Sequence, residues 1–348
     1  MAKKSKPRCS DHVIADLAAK LKKDKKLEKM LVQSLKIAKD KAKAELDKLL
    51  YSALDWPTTR DRYLKYLTQF SRWIPRQSTN PAWTDPGTDE QQEVYDRLCH
   101  FYFLVDQQLP DGRIVENDEW FSNWLVEYAD LWGSFLNATD SFDDEVLQSF
   151  MDDSPEYRVQ DSMFGDPPRP NAPSGWLTFN QFFARELNPG LRPVSSPESN
   201  SVIVSPADCT YRNHFPIGPN SDIDEITVKK THKYANVKDL LEGSPYADRF
   251  ANGTFLHYFL GPYSYHRFHT PVAGLLKECR AVSGEVYLEV NLSGRQFDAP
   301  DTSQGGYEFT QARGIVILDT SNSPAGNVGL LGVVPIGMAQ VSSVNMTA

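Results

Sequence analysis

Apolar residues recur at three- and four-residue steps over residues 11–52, and lysines fill many of the positions between them. The apolar positions are Leu27, Met30, Leu31, Leu35, Ala38, Ala42, Leu46 and Leu49. This spacing places them on one face of an α-helix, because such a helix completes a turn every 3.6 residues. We therefore predict that residues 1–52 form a basic, amphipathic helical arm.

Two roles fit this arm. Its lysines and its apolar face would suit binding to an anionic lipid surface. Alternatively, the helix packs on its own domain and its lysines are simply solvated. The apolar face is narrow and contains no Trp or Phe to act as an anchor, which favours the packed helix. Contact between residues 1–50 and an anionic membrane stays open as the alternative.

Helical periodicity continues through residues 58–72, 89–107 and 118–137. The last segment is the clearest, because one wide stripe is formed by Trp120, Phe121, Trp124, Leu125, Tyr128, Leu131, Trp132, Phe135 and Leu136. An aromatic stripe at this spacing is far more often core than a cofactor site. Residues 53–165 are therefore predicted to be a helical N-terminal domain, and no catalytic motif is visible in them.

Proline and glycine interrupt this pattern near residue 170. The segment GDPPRPNAPSG holds four prolines and two glycines, so it cannot continue a helix. We predict a linker over residues 166–176. A short helix is predicted over residues 178–187, because Thr178 can cap its N-terminus and Gln181 follows three residues later, as in a capping box.

Beyond residue 200 the pattern changes to short apolar or alternating runs separated by glycine and proline. The predicted strands are residues 202–204, 254–260, 284–292, 314–319 and 328–336. Such runs indicate a β-rich domain over residues 177–348, as a sandwich or a partly closed barrel. The predicted fold class is therefore α+β, with the helical domain first.

Composition narrows the class of protein. Apolar residues make up 40% and charged residues 24% of the chain, which is typical of a soluble globular protein. No apolar run approaches the ~20 residues of a membrane span, and no apolar segment follows the basic N-terminus as in a secretory signal. We expect a cytoplasmic protein whose cysteines, none of them in CxxC spacing, are reduced thiols: Cys9, Cys99, Cys209 and Cys279.

Charge is unevenly distributed along the chain. Residues 1–50 carry a net charge of +8, whereas the remaining 298 residues carry −17. The asymmetry indicates a basic arm on an acidic body. We expect no nucleic-acid partner, and we leave open a homo-oligomer.

Candidate chemistry concentrates in three segments. In chain order, the first is TFNQFFARELNPGLRP, which follows the linker. The second is VSPAD, which ends in Asp208, and the third is GPYSYHRFHTPVAG, which carries His266 and His269. Spacing alone leaves three interpretations of the two histidines: general acid–base catalysis, metal binding together with Asp208 or His257, or hydrogen-bonded histidines in a polar turn. The flanking prolines argue against a helical HExxH zinc site.

These three segments, followed by VPIGMAQVSSV, come in the order and approximate spacing of the phosphatidylserine decarboxylase family, which the chain resembles over about residues 176–348. Each segment alone is a weak signal, whereas four in order with an intact His-Arg-x-His-x-Pro-x-x-Gly core are specific. The helical N-terminal half resembles, more loosely, the extra domain of a soluble subgroup that includes decarboxylases of free aromatic amino acids such as tryptophan.

The resemblance implies a self-processing enzyme that depends on a covalent pyruvoyl group and needs no metal. Asp208 matches the family acid and His269 the family base, which together activate a serine hydroxyl for attack on its own preceding carbonyl. The chain then splits, and the serine becomes the pyruvoyl group, an electron sink for loss of CO₂ as PLP is. His266 matches the histidine that assists decarboxylation or reprotonation, a task that suits an imidazole.

One departure from the family bears on activity. The family serine lies in a Leu-Gly-Ser-Thr or Gly-Gly-Ser motif shortly beyond the segment that matches VPIGMAQVSSV, and the 348 residues do not contain it. The pairs Gly133-Ser134 and Gly243-Ser244 lie elsewhere. We therefore expect a fragment or truncated gene product, which by itself neither cleaves nor forms the pyruvoyl group.

Three functions remain open at this point. The preferred one is removal of CO₂ from the serine carboxylate of phosphatidylserine, giving phosphatidylethanolamine, and the basic arm supports it. The second is a soluble decarboxylase of a free aromatic amino acid, supported by the lack of a membrane-spanning segment. The third is a catalytically inactive remnant or binding subunit, supported by the missing serine.

Overall fold

The computed structural model describes residues 10–162, 164, 174–227, 234–299 and 306–346. Its helices are α1 (Ser10–Lys23), α2 (Lys25–Glu45), α3 (Lys48–Ala53), α4 (Arg60–Phe70), α5 (Glu93–Phe103), α6 (Glu119–Leu136), α7 (Asp144–Asp152), α8 (Phe179–Phe183) and α9 (Val237–Leu240). Its strands are β1 (Thr210–Pro216), β2 (Asp222–Thr227), β3 (Tyr234–Asn236), β4 (Thr254–Phe259), β5 (Leu275–Val282), β6 (Asn291–Ser293), β7 (Gln296–Asp298), β8 (Arg313–Asp319) and β9 (Leu330–Val333).

The chain divides into two compact units. The helical unit comprises Met1–Gln160, Phe164–Phe183 and Val286–Pro300, and the β unit comprises Asp161–Met163, Ala184–Glu285 and Asp301–Ala348. In the described residues, the antiparallel strands form the pairs β1–β4, β2–β3 and β6–β7 and a sheet in the order β5–β8–β9, and they close no barrel. The α+β fold class predicted from the change of hydrophobic period is confirmed.

Residues 11–52 are helical, as predicted, but they form three helices rather than one continuous helix. The Asp24 carboxylate accepts a hydrogen bond from the Leu27 backbone N–H at 3.0 Å, and Asp47 accepts one from the Leu49 N–H at 2.7 Å. Each aspartate thereby caps the start of a new helix. The apolar repeat runs through both breaks, so periodicity did not reveal them.

The apolar face of α1 and α2 is buried within the helical unit. Its fully buried members are Leu17, Leu21, Leu31, Leu35 and Ala38. The Ser34 hydroxyl donates to the Leu104 carbonyl at 2.8 Å, and the Trp124 indole N–H donates to the Val13 carbonyl at the same distance. This burial agrees with the packed-helix interpretation of the arm.

The helices predicted over residues 58–72, 89–107 and 118–137 are confirmed as α4, α5 and α6. The aromatic stripe of α6 lies in the core, as predicted: Tyr128 is fully buried and its hydroxyl donates to the Leu67 carbonyl at 2.6 Å. The Phe101 ring of α5 lies 4.8 Å from that of Phe70 on α4 and 5.6 Å from that of Tyr128 on α6, so aromatic contacts join the three helices.

The linker predicted over residues 166–176 lies mostly outside the described residues, which resume at Ser174. The predicted cap of the next helix is present. The Gln181 backbone N–H donates to the Thr178 hydroxyl at 3.2 Å, and the Gln181 side-chain oxygen accepts from the Leu177 N–H at 2.7 Å. Thr178 and Gln181 together therefore fix the start of α8.

The end of that helix differs from the prediction, because α8 stops at Phe183 rather than at residue 187. From Ala184 onward the backbone belongs to the β unit, where Leu187 forms an isolated antiparallel bridge with Ser162. A bridge of this kind requires extended backbone, so the helix cannot continue through it.

Two predicted strands are confirmed, residues 254–260 as β4 and residues 314–319 as β8, and residues 328–336 contain the shorter β9. The core of the β unit brings these strands together with β1, β2, β5 and α9. Its fully buried members include Phe215, Ile223, Ile226, Ala235, Ile315 and Ile317.

The strand predicted over residues 202–204 is wrong. Ile203 is 60% exposed, and Val204 makes one backbone hydrogen bond, to the Pro271 carbonyl at 3.2 Å. A run of three apolar residues is too short to indicate a strand when no neighbouring chain pairs with it along its length.

The strand predicted over residues 284–292 is also wrong for most of its length. Val286, Leu288 and Val290 alternate as buried positions, as the pattern required, but they are buried in the helical unit and no described strand pairs with them. Only Asn291–Ser293 forms a strand, in the β6–β7 hairpin. None of the helices in the described part of the chain combines the length and the hydropathy that crossing a membrane requires.

Candidate active site

Two of the sequence-predicted segments meet in the β unit. Ala207 of VSPAD and Phe268 of the histidine segment form an isolated antiparallel bridge, and the His269 backbone N–H donates to the Pro206 carbonyl at 2.8 Å. Because the bridge is antiparallel, His269 lies opposite Pro206 and Asp208 lies opposite Arg267. Side chains alternate between the two faces of extended chain, so Asp208 and His269 share one face as diagonal neighbours.

The carboxylate of Asp208 is bound by an arginine rather than by His269. Its Oδ2 accepts a hydrogen bond from the Arg192 Nε at 3.0 Å, and its side chain is 41% exposed. The His269 side chain is exposed as well, and it makes no hydrogen bond to any described residue. The structure thus brings the two predicted residues to neighbouring positions without the hydrogen bond between them, and their roles stay predictions.

His266 is partly buried in the same turn. Its Nε2 lies 3.3 Å from the Pro262 carbonyl. The pKa of His266 is lowered to about 4, chiefly by burial, with the Pro262 carbonyl opposing the shift and the Arg185 guanidinium adding to it. The imidazole is therefore neutral at pH 7, with one ring nitrogen that donates and one that accepts.

Arg267, between the two histidines, ties their turn to the third segment. Its Nε and Nη2 both donate to the Ala184 carbonyl, at 2.9 and 2.7 Å, and Nη2 lies 3.0 Å from a Glu186 carboxylate oxygen. A guanidinium group can make these contacts at once because its donors have a fixed, planar arrangement.

The site also contains three arginines that the sequence analysis did not predict. Arg185 and Arg192 come from FFARELNPGLRP, and Arg267 comes from the histidine segment. Their positions inside the quoted motifs were the available signal, but the motif order does not say which side chains meet. Of the three, Arg192 binds the predicted acid Asp208, Arg267 pairs with Glu186, and Arg185 lowers the pKa of His266.

The fourth segment, VPIGMAQVSSV, runs beside β8. Gly314 donates its N–H to the Pro335 carbonyl at 2.8 Å, and Gly337 donates to the Ala312 carbonyl at the same distance. A Cβ at position 337 would collide with the Val341 carbonyl, so only glycine fits there. Beyond it, Met346 packs against an apolar cluster that contains Val272, three residues from His269.

His257, considered as a metal ligand, lies elsewhere. It is buried on β4, and its Nε2 lies 3.3 Å from the Tyr307 hydroxyl. Among the described residues, no three His, Cys, Asp or Glu side chains converge as metal ligands would. The geometry therefore gives the metal-binding interpretation no support.

Comparison with known proteins agrees with the order of the motifs. Residues 179–348 match the sequence profile of the phosphatidylserine decarboxylase family. The chain is 28% identical over 249 residues to Decarboxylase iboD of Amanita muscaria, covering 65% of this chain and 69% of that protein. It is 32% identical over 172 residues to the phosphatidylserine decarboxylase proenzyme of Shewanella amazonensis, covering 49% and 53%, and 35% identical over 117 residues to that of Shewanella woodyi, covering 34% and 39%.

The extent of these matches differs. The chain spans about half or less of the length of these bacterial proenzymes. The Amanita protein aligns with 65% of the chain, more than residues 179–348 provide, so this similarity reaches into the residues before 179. The similarity to the phosphatidylserine decarboxylase family therefore covers residues 179–348, just under half of the chain.

Proposed function

We propose that this chain carries the acid and base for cleavage in a self-processing, pyruvoyl-dependent decarboxylase. The observation that carries the proposal is the bridge between Ala207 and Phe268, which puts Asp208 and His269 on one face as diagonal neighbours. An acid and an imidazole in this relation suit activation of a weak hydroxyl nucleophile.

The residues present fit a pyruvoyl group. His266 and His269 lie on one turn, the first neutral and partly buried, the second exposed to an incoming hydroxyl. Segment 341–346 reaches the apolar cluster of Val272 beside that turn. His266, His269 and Asp208 are the residues that would surround the group, and when bound it supplies an electron sink for the carbon–carbon bond that breaks as CO₂ leaves.

Each side chain has a separate task in this proposal. His269 takes the proton of the serine hydroxyl as that oxygen attacks the preceding carbonyl, and Asp208 orients the imidazole and stabilises its charged form. His266 donates from one ring nitrogen and accepts at the other, so it can relay a proton to the carbon that CO₂ has left.

Phosphatidylserine is the first candidate substrate. The family and the Shewanella relatives carry its name. Its serine headgroup has the α-amino carboxylate that this chemistry requires. Exposed lysines of α1 and α2, such as Lys22 and Lys26, would add attraction to an anionic surface.

A free aromatic amino acid is the second candidate, and two observations favour it. The apolar face of α1 and α2 is buried in the helical unit rather than available to lipid. The Amanita relative, whose name specifies a decarboxylase but no phospholipid, matches more of the chain than the bacterial proenzymes do. Both candidates offer the same reacting group.

The first experiment uses the full coding sequence that contains these residues, as parent and as three single variants. We expect the parent to separate into two fragments on a denaturing gel, one of which carries a ketone that hydroxylamine modifies. His269→Ala should stay uncleaved. His266→Ala should cleave but release CO₂ more slowly by roughly 10²–10⁴-fold, the usual contribution of general acid–base catalysis.

His214→Ala is the matched control, because His214 is an exposed histidine on β1 of the same unit. It should cleave and turn over like the parent. Full cleavage and full turnover in His269→Ala would contradict the proposal. Equal loss of folded protein in the His266 and His269 variants would instead indicate that both histidines only hold the turn.

Release of labelled CO₂ distinguishes the substrates. The cleaved protein is supplied with phosphatidylserine in mixed micelles or with free tryptophan or tyrosine at matched concentration. We expect release from phosphatidylserine with phosphatidylethanolamine as product. Release from the free amino acids alone would establish the second candidate and exclude the first.

A further inference from the structure

Arg192 bridges two acidic residues of the β unit. Its Nε donates to the Asp208 Oδ2 at 3.0 Å, and its Nη1 lies 3.9 Å from the Asp161 Oδ2. The Asn188 backbone N–H, from the same segment as Arg192, donates to the Asp161 carbonyl at 2.8 Å. The guanidinium group is thus held between two separate parts of the chain, with Asp208 as its nearer partner.

The backbone presents this arginine in a restricted conformation. Arg192 has φ 52°, in the left-handed region that a residue with a Cβ adopts rarely. The Leu191 N–H donates to the Asn188 carbonyl at 3.2 Å and closes a turn, and the prolines at 189 and 193 limit the rotation of the chain on either side. Such conformations persist where surrounding contacts hold them, and they concentrate at functional sites.

The contact leaves half of the carboxylate available. Arg192 binds the Oδ2 of Asp208, and no described residue donates a hydrogen bond to its Oδ1. Asp208 and His269 share a face of the Ala207–Phe268 bridge as diagonal neighbours. The Oδ1 is therefore the carboxylate oxygen left open to the His269 imidazole.

We propose that Arg192 is a positioning residue for self-cleavage, which fixes the Asp208 carboxylate so that its Oδ1 receives the imidazole N–H of His269. The inference rests on the proposed function. An exposed carboxylate otherwise rotates freely in water, and a charge-assisted hydrogen bond to one oxygen selects the orientation of the other. A planar guanidinium group suits this task better than an ammonium group, because its donors have a fixed direction.

The test compares rates of self-cleavage, followed on denaturing gels, in the full coding sequence. The variants are Arg192→Ala, Arg192→Lys and the control Arg249→Ala, an exposed arginine in the 3-10 turn Ala247–Phe250. We expect Arg192→Ala to cleave about tenfold more slowly, at the low end for a charge-assisted hydrogen bond because the pair is partly exposed. Methylguanidinium should restore the rate, Arg192→Lys should fall between, and Arg249→Ala should match the parent.

Other outcomes overturn the inference in different ways. Cleavage of Arg192→Ala at the parent rate would show that the arginine is dispensable. A faster rate would show that its ion pair keeps Asp208 from interacting with His269. Slow cleavage that methylguanidinium does not restore would indicate a structural role. If Arg192→Ala does not fold, a parent-like rate in Arg192→Lys would oppose the inference and a slower rate would support it. A parent that never cleaves would overturn the proposed function itself.

Discussion

At the residue scale, two buried ionisable groups of α5 lie one helical turn apart and are both neutral at pH 7. Burial raises the pKa of Asp96 to about 8, and the charges of Asp85 and Glu93 add to this effect. Burial also lowers the pKa of His100 to about 3, and Arg97 adds to that shift. Burial thus disfavours the charged form of both groups, the anion of Asp96 and the cation of His100.

The Asp96 shift predicts a dependence of stability on pH. Its pKa is raised on folding from about 3.9, so its contribution is present at low pH and is lost as pH rises towards 8. We expect Asp96→Asn, which has the same shape and cannot ionise, to remove a slope of at most about 1.4 kcal/mol per pH unit. Urea unfolding at pH 5, 7 and 9 measures it.

The control for this substitution is Asp40→Asn, an exposed aspartate on α2. It should leave the pH dependence of the parent unchanged. If Asp96→Asn kept the pH dependence of the parent's free energy of unfolding, the Asp96 carboxylate would have to be stabilised as an anion in the folded chain. Among the described residues neither of its oxygens has a hydrogen-bond donor, which is why we expect the slope to disappear.

At the element scale, α1 and α2 depend on the burial of their apolar face. Leu35 is fully buried in the helical unit, whereas Leu49 on α3 is 58% exposed although both belong to the same sequence repeat. We expect Leu35→Ala to lower the free energy of unfolding by about 2–5 kcal/mol, through lost burial and the cavity left behind.

Leu49→Ala, measured beside it by urea denaturation, should have an effect within about 0.5 kcal/mol, as for other exposed positions. Equal effects of the two substitutions would contradict the packed position of the helices. Binding of residues 1–50 to anionic lipid stays a proposal, and with this face buried it would rest on the exposed lysines and weaken as salt is raised.

At the scale of the whole molecule, the helical unit is discontinuous in sequence. Residues 286–299 belong to it although the β unit precedes them in the chain. The Val290 N–H donates to the Asp106 carboxylate at 3.1 Å, and the Ala299 N–H donates to the Tyr95 hydroxyl at 2.9 Å. Phe297, 4% exposed, places its ring 5.6 Å from that of Phe103 on α5.

Phe297→Ala should therefore destabilise the helical unit by about 3–5 kcal/mol, the usual cost of removing a buried aromatic side chain. Hydrogen exchange should show lost protection in α5 before any change in β8. Leu256→Ala, at a 50% exposed position of β4, is the control and should leave both helix and strand protected. Loss of protection in β8 alone would contradict the assignment of residues 286–299 to the helical unit.

Much of this organisation could be predicted from short-range patterns. The helices α4, α5 and α6, the cap at Thr178 and the change to strands after residue 200 follow from repeats and residue types within single segments. Such signals are local, because a side chain's spacing and chemistry are the same wherever the segment is finally placed. The same locality made Asp208, His266 and His269 recognisable from their motifs.

The tertiary structure decided which segments meet. The alternation of residues 286–290 required one buried face, but only the fold determined that this face is buried in the helical unit. Periodicity did not reveal the breaks at Asp24 and Asp47, where a carboxylate caps a new helix inside an unbroken apolar repeat.

The site shows the same division. The sequence by itself predicted Asp208, His266 and His269 as candidates, since their residue types and motif order are local properties. It could not determine that Arg192 donates a hydrogen bond to the Asp208 carboxylate, or that burial makes His266 neutral. Hydrogen bonds and pKa values depend on neighbours brought close by the fold, and these come from segments far apart in the chain.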